Sequence, residues 1–186
     1  MTESLDFKVE GGRKLKGTIA TNFSKNGSVV LICAALLNKG VTRLHGISRI
    51  EEVNRLLEII KSIGVQVSWI DKNSIEIVPP KKFKMNHLDK DAAAKVRSSL
   101  MFIGSLIHHL PHFKLPHAGG CKMGNRTIAA HRYGLEELGV KIVTKESHYE
   151  ISTKKLKPAD IVMYEAGDTA ANNLLMAAAL IPGTTI

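Results

Sequence analysis

The chain has 186 residues, 44% hydrophobic and 23% charged, a balance that suits a folded globular chain and excludes wholesale disorder. No apolar run reaches the ~18 residues of a membrane span, residues 1–10 lack the apolar core of a signal peptide, and 2 cysteines cannot build a disulfide framework. Lys and Arg number 26 against 17 Asp and Glu, and the resulting +9 charge favours anionic partners: nucleic acid, an anionic membrane surface or phosphorylated metabolites.

The pattern predicts a helix over Val29–Leu37, stopped by Asn38-Lys39-Gly40, and a short strand over Val41–His45. Ser48 with Glu51 three residues on has the form of a capping box. Ile50, Val53, Leu57 and Ile60 then recur at helical spacing up to Gly64. Val65–Ile70 alternates as a half-buried strand, and Ser74–Val78 follows as its neighbour. Asp91–Leu110 reads as one long helix with Ala92, Val96, Leu100, Ile103, Ile107 and Leu110 in a stripe, ended by Pro111. A short strand over Phe113–Leu115, a helix over Ile128–Leu138 and strands over Gly139–Val143 and Tyr149–Ile151 complete the order.

That order is a repeat. Ile63-Gly64-Val65-Gln66-Val67 parallels Leu138-Gly139-Val140-Lys141-Ile142, and Cys33 to Thr42 parallels Met176 to Thr185. A helix-strand-helix-strand-strand unit is used twice and begun a third time. The third unit stops at Ile186, in a strand without a covering helix, so the chain is expected to be part of a longer protein.

Three segments offer chemistry. Cys121 lies in Ala118-Gly119-Gly120-Cys121-Lys122-Met123-Gly124-Asn125-Arg126, where neighbouring cations favour a thiolate; the alternative is an ordinary Gly-rich turn. Lys25 and Asn26 precede the first helix and suit an anion, or simply form a cap beside a solvated Lys. Arg97 lies beside the apolar stripe and suits a bidentate oxyanion, or a snorkelling surface position. His108, His109, His112 and His117 are interrupted by Pro111 and lack zinc-site partners. Cys33 and Trp69 read as packing residues.

In order along nearly all of the chain, these segments resemble the N-terminal part of the UDP-N-acetylglucosamine enolpyruvyl transferases, of the EPSP synthase-like enolpyruvate transferase family. Phe7 to Asn26 resembles the opening strands and Lys-Asn dipeptide, and Val96-Arg97-Ser98-Ser99 the Arg-Ala-Ser helix start. Gly119 to Arg126 resembles the Gly-Gly-Cys loop with its following Gly and Arg. His131, Gly134–Gly139 and Ala177–Ile186 continue the likeness.

The resemblance implies an α/β fold of repeated βαβαββ units, an inside-out α/β barrel, incomplete here. Residues 1–19 would normally complete a second domain that is missing, and 20–186 would form the first domain with its third unit truncated. It implies a cytoplasmic transfer of the enolpyruvyl group from phosphoenolpyruvate to the 3-hydroxyl of UDP-N-acetylglucosamine, committing the sugar to peptidoglycan. No cofactor, metal, nucleic acid or membrane is implied, and the C-terminal domain of the same protein would be the missing partner. Cys121 matches the cysteine that acts as general acid and is alkylated by fosfomycin. Lys25, Arg97 and Arg126 match cations that hold phosphoenolpyruvate. Asn26, Arg97, Arg126, Gly167 and Asp168 match contacts to UDP-N-acetylglucosamine.

Two departures stand out. Ala129 replaces the family's Asp, and Ala118 its Pro before the Gly-Gly-Cys loop. Two other functions remain in view: a related transferase with another acceptor such as shikimate 3-phosphate, and a basic nucleic-acid-binding module. Against the second, aromatics are 5%, few for a base-stacking platform.

Overall fold

The computed structural model describes residues 8–117 and 127–186. Residues 8–24 form no helix or strand, and Val9, Leu15 and Ile19 are 87%, 93% and 89% exposed. This is the segment expected to form strands only with a second domain, and among the described residues no neighbouring strand takes its hydrogen bonds.

The first unit opens with α1 (Lys25–Ala34), whose N-terminus is capped by Ser24: its Oγ accepts from Gly27 N at 3.0 Å. A 3-10 turn over Ala35–Leu37 leads to Asn38, whose side chain closes the turn into β1 (Thr42–His45). α2 (Glu51–Ser62) buries Val53, Leu56, Leu57, Ile59 and Ile60. The expected capping box does not form. Ser48 Oγ instead donates to Phe23 O at 2.7 Å and Ser48 N to Ser28 Oγ at 3.1 Å, so Ser48 ties the entering chain to α1. Gly64, at φ 99°, turns the chain into β2 (Gln66–Trp69), followed by β3 (Ser74–Val78). The three strands pair antiparallel in the order β1-β3-β2.

The second unit departs from the expected long helix. α3 (Lys90–Lys95) ends at Val96, whose backbone is extended. A 3-10 turn over Arg97–Met101 then runs into α4 (Phe102–Leu106). The cause is local side-chain competition for backbone groups. Ser99 Oγ bonds Val96 O at 2.8 Å and Ala93 O at 3.1 Å, while Ser98 Oγ turns away to Glu52. The apolar stripe survives the break: Ala92, Val96, Leu100, Ile103 and Ile107 are all buried. After β4 (His112–Pro116) come α5 (Ala129–Glu137), Gly139 at φ 91°, β5 (Val140–Thr144) and β6 (His148–Thr153). Their order, β4-β6-β5, repeats that of the first sheet.

α6 (Asp168–Ala178) begins a third unit. Beyond it, Ile186 N donates to Ala159 O at 3.1 Å and Ile161 N to Ile186 O at 2.7 Å, the start of a further pairing. α4 is buried over its whole length and sits among α1, α6 and the turn before it. The apolar face of each sheet (Ile75 and Ile77; Phe113, Leu115, Ile142 and Ile151) joins this helical layer in one continuous core.

Candidate functional site

Lys25 is the first residue of α1, and Glu52 lies in the first turn of α2. They meet: Lys25 Nζ is 2.5 Å from Glu52 Oε2. The other carboxylate oxygen, Oε1, accepts from Ser98 Oγ at 2.7 Å. Ser98 is buried in the turn that interrupts the second unit's helix, and its neighbour is Arg97. The Arg97 guanidinium donates from Nη2 to Thr127 O at 2.8 Å, at the entrance to α5. A chain of contacts therefore links the start of α1, the start of α2, the Arg97 turn and the start of α5. Two of the sequence-predicted cations belong to it: Lys25 at one end and Arg97 one step before Thr127 at the other.

Asn26 is exposed beside Lys25 in the first turn of α1. Gly167 precedes α6 as its N-terminal flanking residue, and Asp168 is exposed in the first turn. α6 packs on α4, α5 and the Arg97 turn. Cys121 and Arg126, with the rest of 118–126, lie outside the described residues. Ala129, where the family has Asp, starts α5, and its N donates to Thr127 Oγ1 at 2.7 Å.

Sequence reasoning missed two groups. Glu52 is one. Counting back from Leu56 by one helical turn places it on the inner side of α2, so a carboxylate at the end of an apolar stripe was its signal. Asn173 is the other, wholly buried on α6. Its Oδ1 accepts from Gly104 N at 2.7 Å, and its Nδ2 donates to Leu100 O and to His131 Nδ1, both at 3.0 Å. Gly104 leaves the room for this: a Cβ there would meet Asn173 O and lie 2.6 Å from its Oδ1. The network makes His131 Nδ1 an acceptor and keeps the ring neutral. Burial lowers the His131 pKa from its ordinary 6.5 to about 4, and the Arg97 charge adds to the effect. Arg97 also acts on Tyr149, whose pKa is raised by burial against the opposing charges of Arg97 and Arg132.

The other singled-out residues have structural partners. His108 Nε2 bonds Ala177 O at 2.9 Å, and His109 Nε2 bonds Leu36 O at 2.8 Å. His117 packs against the Tyr149 ring, centroids 4.7 Å apart. Among the described residues, no three His, Cys, Asp or Glu side chains are grouped to hold a metal ion. Cys33 is fully buried, and burial pushes its thiol well above the ordinary range. The Trp69 face carries Arg49, with Cζ 3.9 Å from the ring centroid. No helix among the described residues is long and apolar enough to cross a membrane.

The family model for EPSP synthase (3-phosphoshikimate 1-carboxyvinyltransferase) matches residues 9–186. The chain belongs to this family. A UDP-N-acetylglucosamine 1-carboxyvinyltransferase of Bradyrhizobium diazoefficiens is 33% identical over 181 residues, 97% of this chain and 42% of that protein. UDP-N-acetylglucosamine 1-carboxyvinyltransferase 1 of Carboxydothermus hydrogenoformans is 34% identical over 186 residues, with the same two coverages. Among solved structures, the enolpyruvyl transferase NikO from Streptomyces tendae superposes with a TM-score of 0.71 at 18% identity, over 94% of this chain and 41% of its own. EPSP synthase from Acinetobacter baumannii gives 0.67 at 19% identity, over 94% and 40%. The fold is thus that of the enolpyruvyl transferases. The chain spans about 42% of the length of the curated relatives it matches.

Proposed function

We propose that this chain is the N-terminal part of an enolpyruvyl transferase that moves the enolpyruvyl group of phosphoenolpyruvate to the 3-hydroxyl of UDP-N-acetylglucosamine, releasing phosphate. The observation that carries this reading is the placement of Lys25 and Arg97 on one chain of contacts, in a sequence about a third identical, over nearly its whole length, to proteins named for that acceptor. The reaction places its charge on the transferred and leaving phosphate oxygens, so preorganised cations are the machinery it needs. Lys25, Arg97 and Arg126 hold the phosphate and carboxylate of phosphoenolpyruvate. Cys121 delivers a proton to the methylene carbon as the acceptor oxygen adds, and a proton is lost again from the resulting methyl group as phosphate leaves, which restores the double bond. Asn26, Gly167 and Asp168 face the acceptor. The acceptor's hydroxyl proton goes to a base in the remainder of the protein.

In this reading residues 20–186 form most of a first domain, and residues 1–19 join the remainder as strands. The exposed Leu31 on α1, Leu175 on α6 and Leu180 just after it, at 47%, 68% and 52%, support it as large apolar side chains left for further chain to cover. The setting is the cytoplasm, and the product feeds peptidoglycan and cell shape. The chain alone turns over little or nothing. Phosphate release from phosphoenolpyruvate and UDP-N-acetylglucosamine, measured on the isolated chain, tests that: steady turnover contradicts it. A thermal-shift comparison on the longer protein tests the acceptor. Stabilisation by UDP-N-acetylglucosamine is expected, and stabilisation by shikimate 3-phosphate instead sinks the assignment.

A further inference from the structure

Two adjacent glutamates open α2 and are used differently. The Glu51 side chain is 73% exposed and pairs along the helix with Arg55 at 2.8 Å. The Glu52 side chain is 22% exposed, faces inward, and reaches out of its own helix to Lys25 and Ser98. The Glu52 carboxylate is the fixed member of this group. It sits in the first turn of α2, where the helix dipole favours an anion, and buried Ser98 holds its second oxygen. Lys25 is the adjustable member, an ammonium on a flexible side chain that is 58% exposed. The first turn of α1 has no acidic residue of its own, and Lys25 adds a cation there. A half-exposed pair of this kind contributes little to stability, so its placement calls for another role.

We propose that Glu52 is a built-in counter-ion of the anion site: its carboxylate holds the Lys25 ammonium until a substrate phosphate takes that ammonium over. This rests on the reading of Lys25 as a ligand for phosphoenolpyruvate and names the residue that sets its affinity. Glu52 keeps the ammonium on one carboxylate oxygen while Ser98 holds the other, and its charge opposes an arriving anion. Binding therefore requires exchange of one anion for another at Lys25, which discriminates against weakly charged ligands.

Titration of the 186-residue chain with inorganic phosphate and with phosphoenolpyruvate at fixed ionic strength, followed by amide NMR, tests this. Glu52→Gln keeps the shape and a hydrogen-bond acceptor for Ser98 while removing the charge. It is expected to bind both anions about tenfold more tightly, with the Ser98 amide among the shifted signals. Lys25→Gln is expected to weaken binding, and the double variant to behave as Lys25→Gln. Ser98→Ala loosens the carboxylate and gives a smaller gain, which serves as a second readout if Glu52→Gln does not melt cooperatively. A Glu52→Gln variant that is less stable but no tighter overturns the counter-ion role. If Lys25→Gln weakens binding while Glu52→Gln changes nothing, that role alone falls. If Lys25→Gln binds as the parent does, or no variant binds either anion, the reading of Lys25 falls with it.

Discussion

The two complete repeat units share one scaffold and differ in what they bury. Both run helix, strand, helix, strand, strand, with the third strand in the middle of the sheet and a positive-φ glycine ending the second helix. Eight residues before that glycine the first unit has Leu56 and the second has His131, and both are buried. Leu56 simply packs. His131 belongs to a hydrogen-bonded network with Asn173, Gly104 and Leu100, which joins α5, α6 and the start of α4 behind Arg97. The same backbone position is thus a packing site in one unit and a polar tie in the other. The fold tolerates either, and the polar choice falls beside a candidate functional residue.

The largest expected effect is at the centre of that tie. Asn173→Ala takes the side-chain partner from a buried N–H, a carbonyl and a ring nitrogen, and is expected to cost about 4 kcal/mol in urea unfolding. A loss below about 1 kcal/mol breaks the contrast between the units. Leu56→Ala removes packing alone and is expected to cost about 3 kcal/mol, with no change in the pH dependence of stability.

His131 supplies that pH dependence. Its folded pKa of about 4 lies below its ordinary 6.5, so the unfolded chain takes up the proton first as pH falls. The stability held above about pH 6.5 is therefore lost progressively down to about pH 4, on the order of 3 kcal/mol. Burial lowers the His108 pKa in the same direction. His131→Leu, which copies the first unit, is expected to flatten this slope; an unchanged slope assigns it elsewhere.

The cysteines extend the comparison. Cys33 of the first unit is buried with its thiol pushed up, while Cys121 falls in the Gly-rich segment before α5. Iodoacetamide on the folded chain is expected to label Cys121 at least about tenfold faster. Equal labelling of the two contradicts the low-pKa reading of Cys121.

Much of this scaffold was legible in the sequence because its signals are local. The strand at Ser74–Val78 and the glycine turns at Gly64 and Gly139 depend on residues a few positions apart. The break at Val96 was not legible against a strong apolar stripe: Ser99 Oγ competes there for the Val96 and Ala93 carbonyls, and the neighbouring Ser98 bonds Glu52, 46 residues away. Ser48 misled for the same reason, its hydroxyl being used by Phe23, 25 residues earlier. Lys25 and Arg97 were singled out by residue type and by resemblance. Glu52 and Asn173 escaped because each acquires its meaning from a partner on another helix.

We propose, as above, that this chain supplies anion-binding residues, Lys25 and Arg97 among them, to an enolpyruvyl transferase acting on UDP-N-acetylglucosamine. The most direct test of this proposal joins residues 1–186 to the part of the Bradyrhizobium diazoefficiens relative that the chain does not span. Phosphate release from phosphoenolpyruvate is then measured on the cooperatively folded chimera. The account predicts release that requires UDP-N-acetylglucosamine and falls at least about a hundredfold in Lys25→Gln. Release that requires shikimate 3-phosphate instead, or that is indifferent to Lys25, contradicts it.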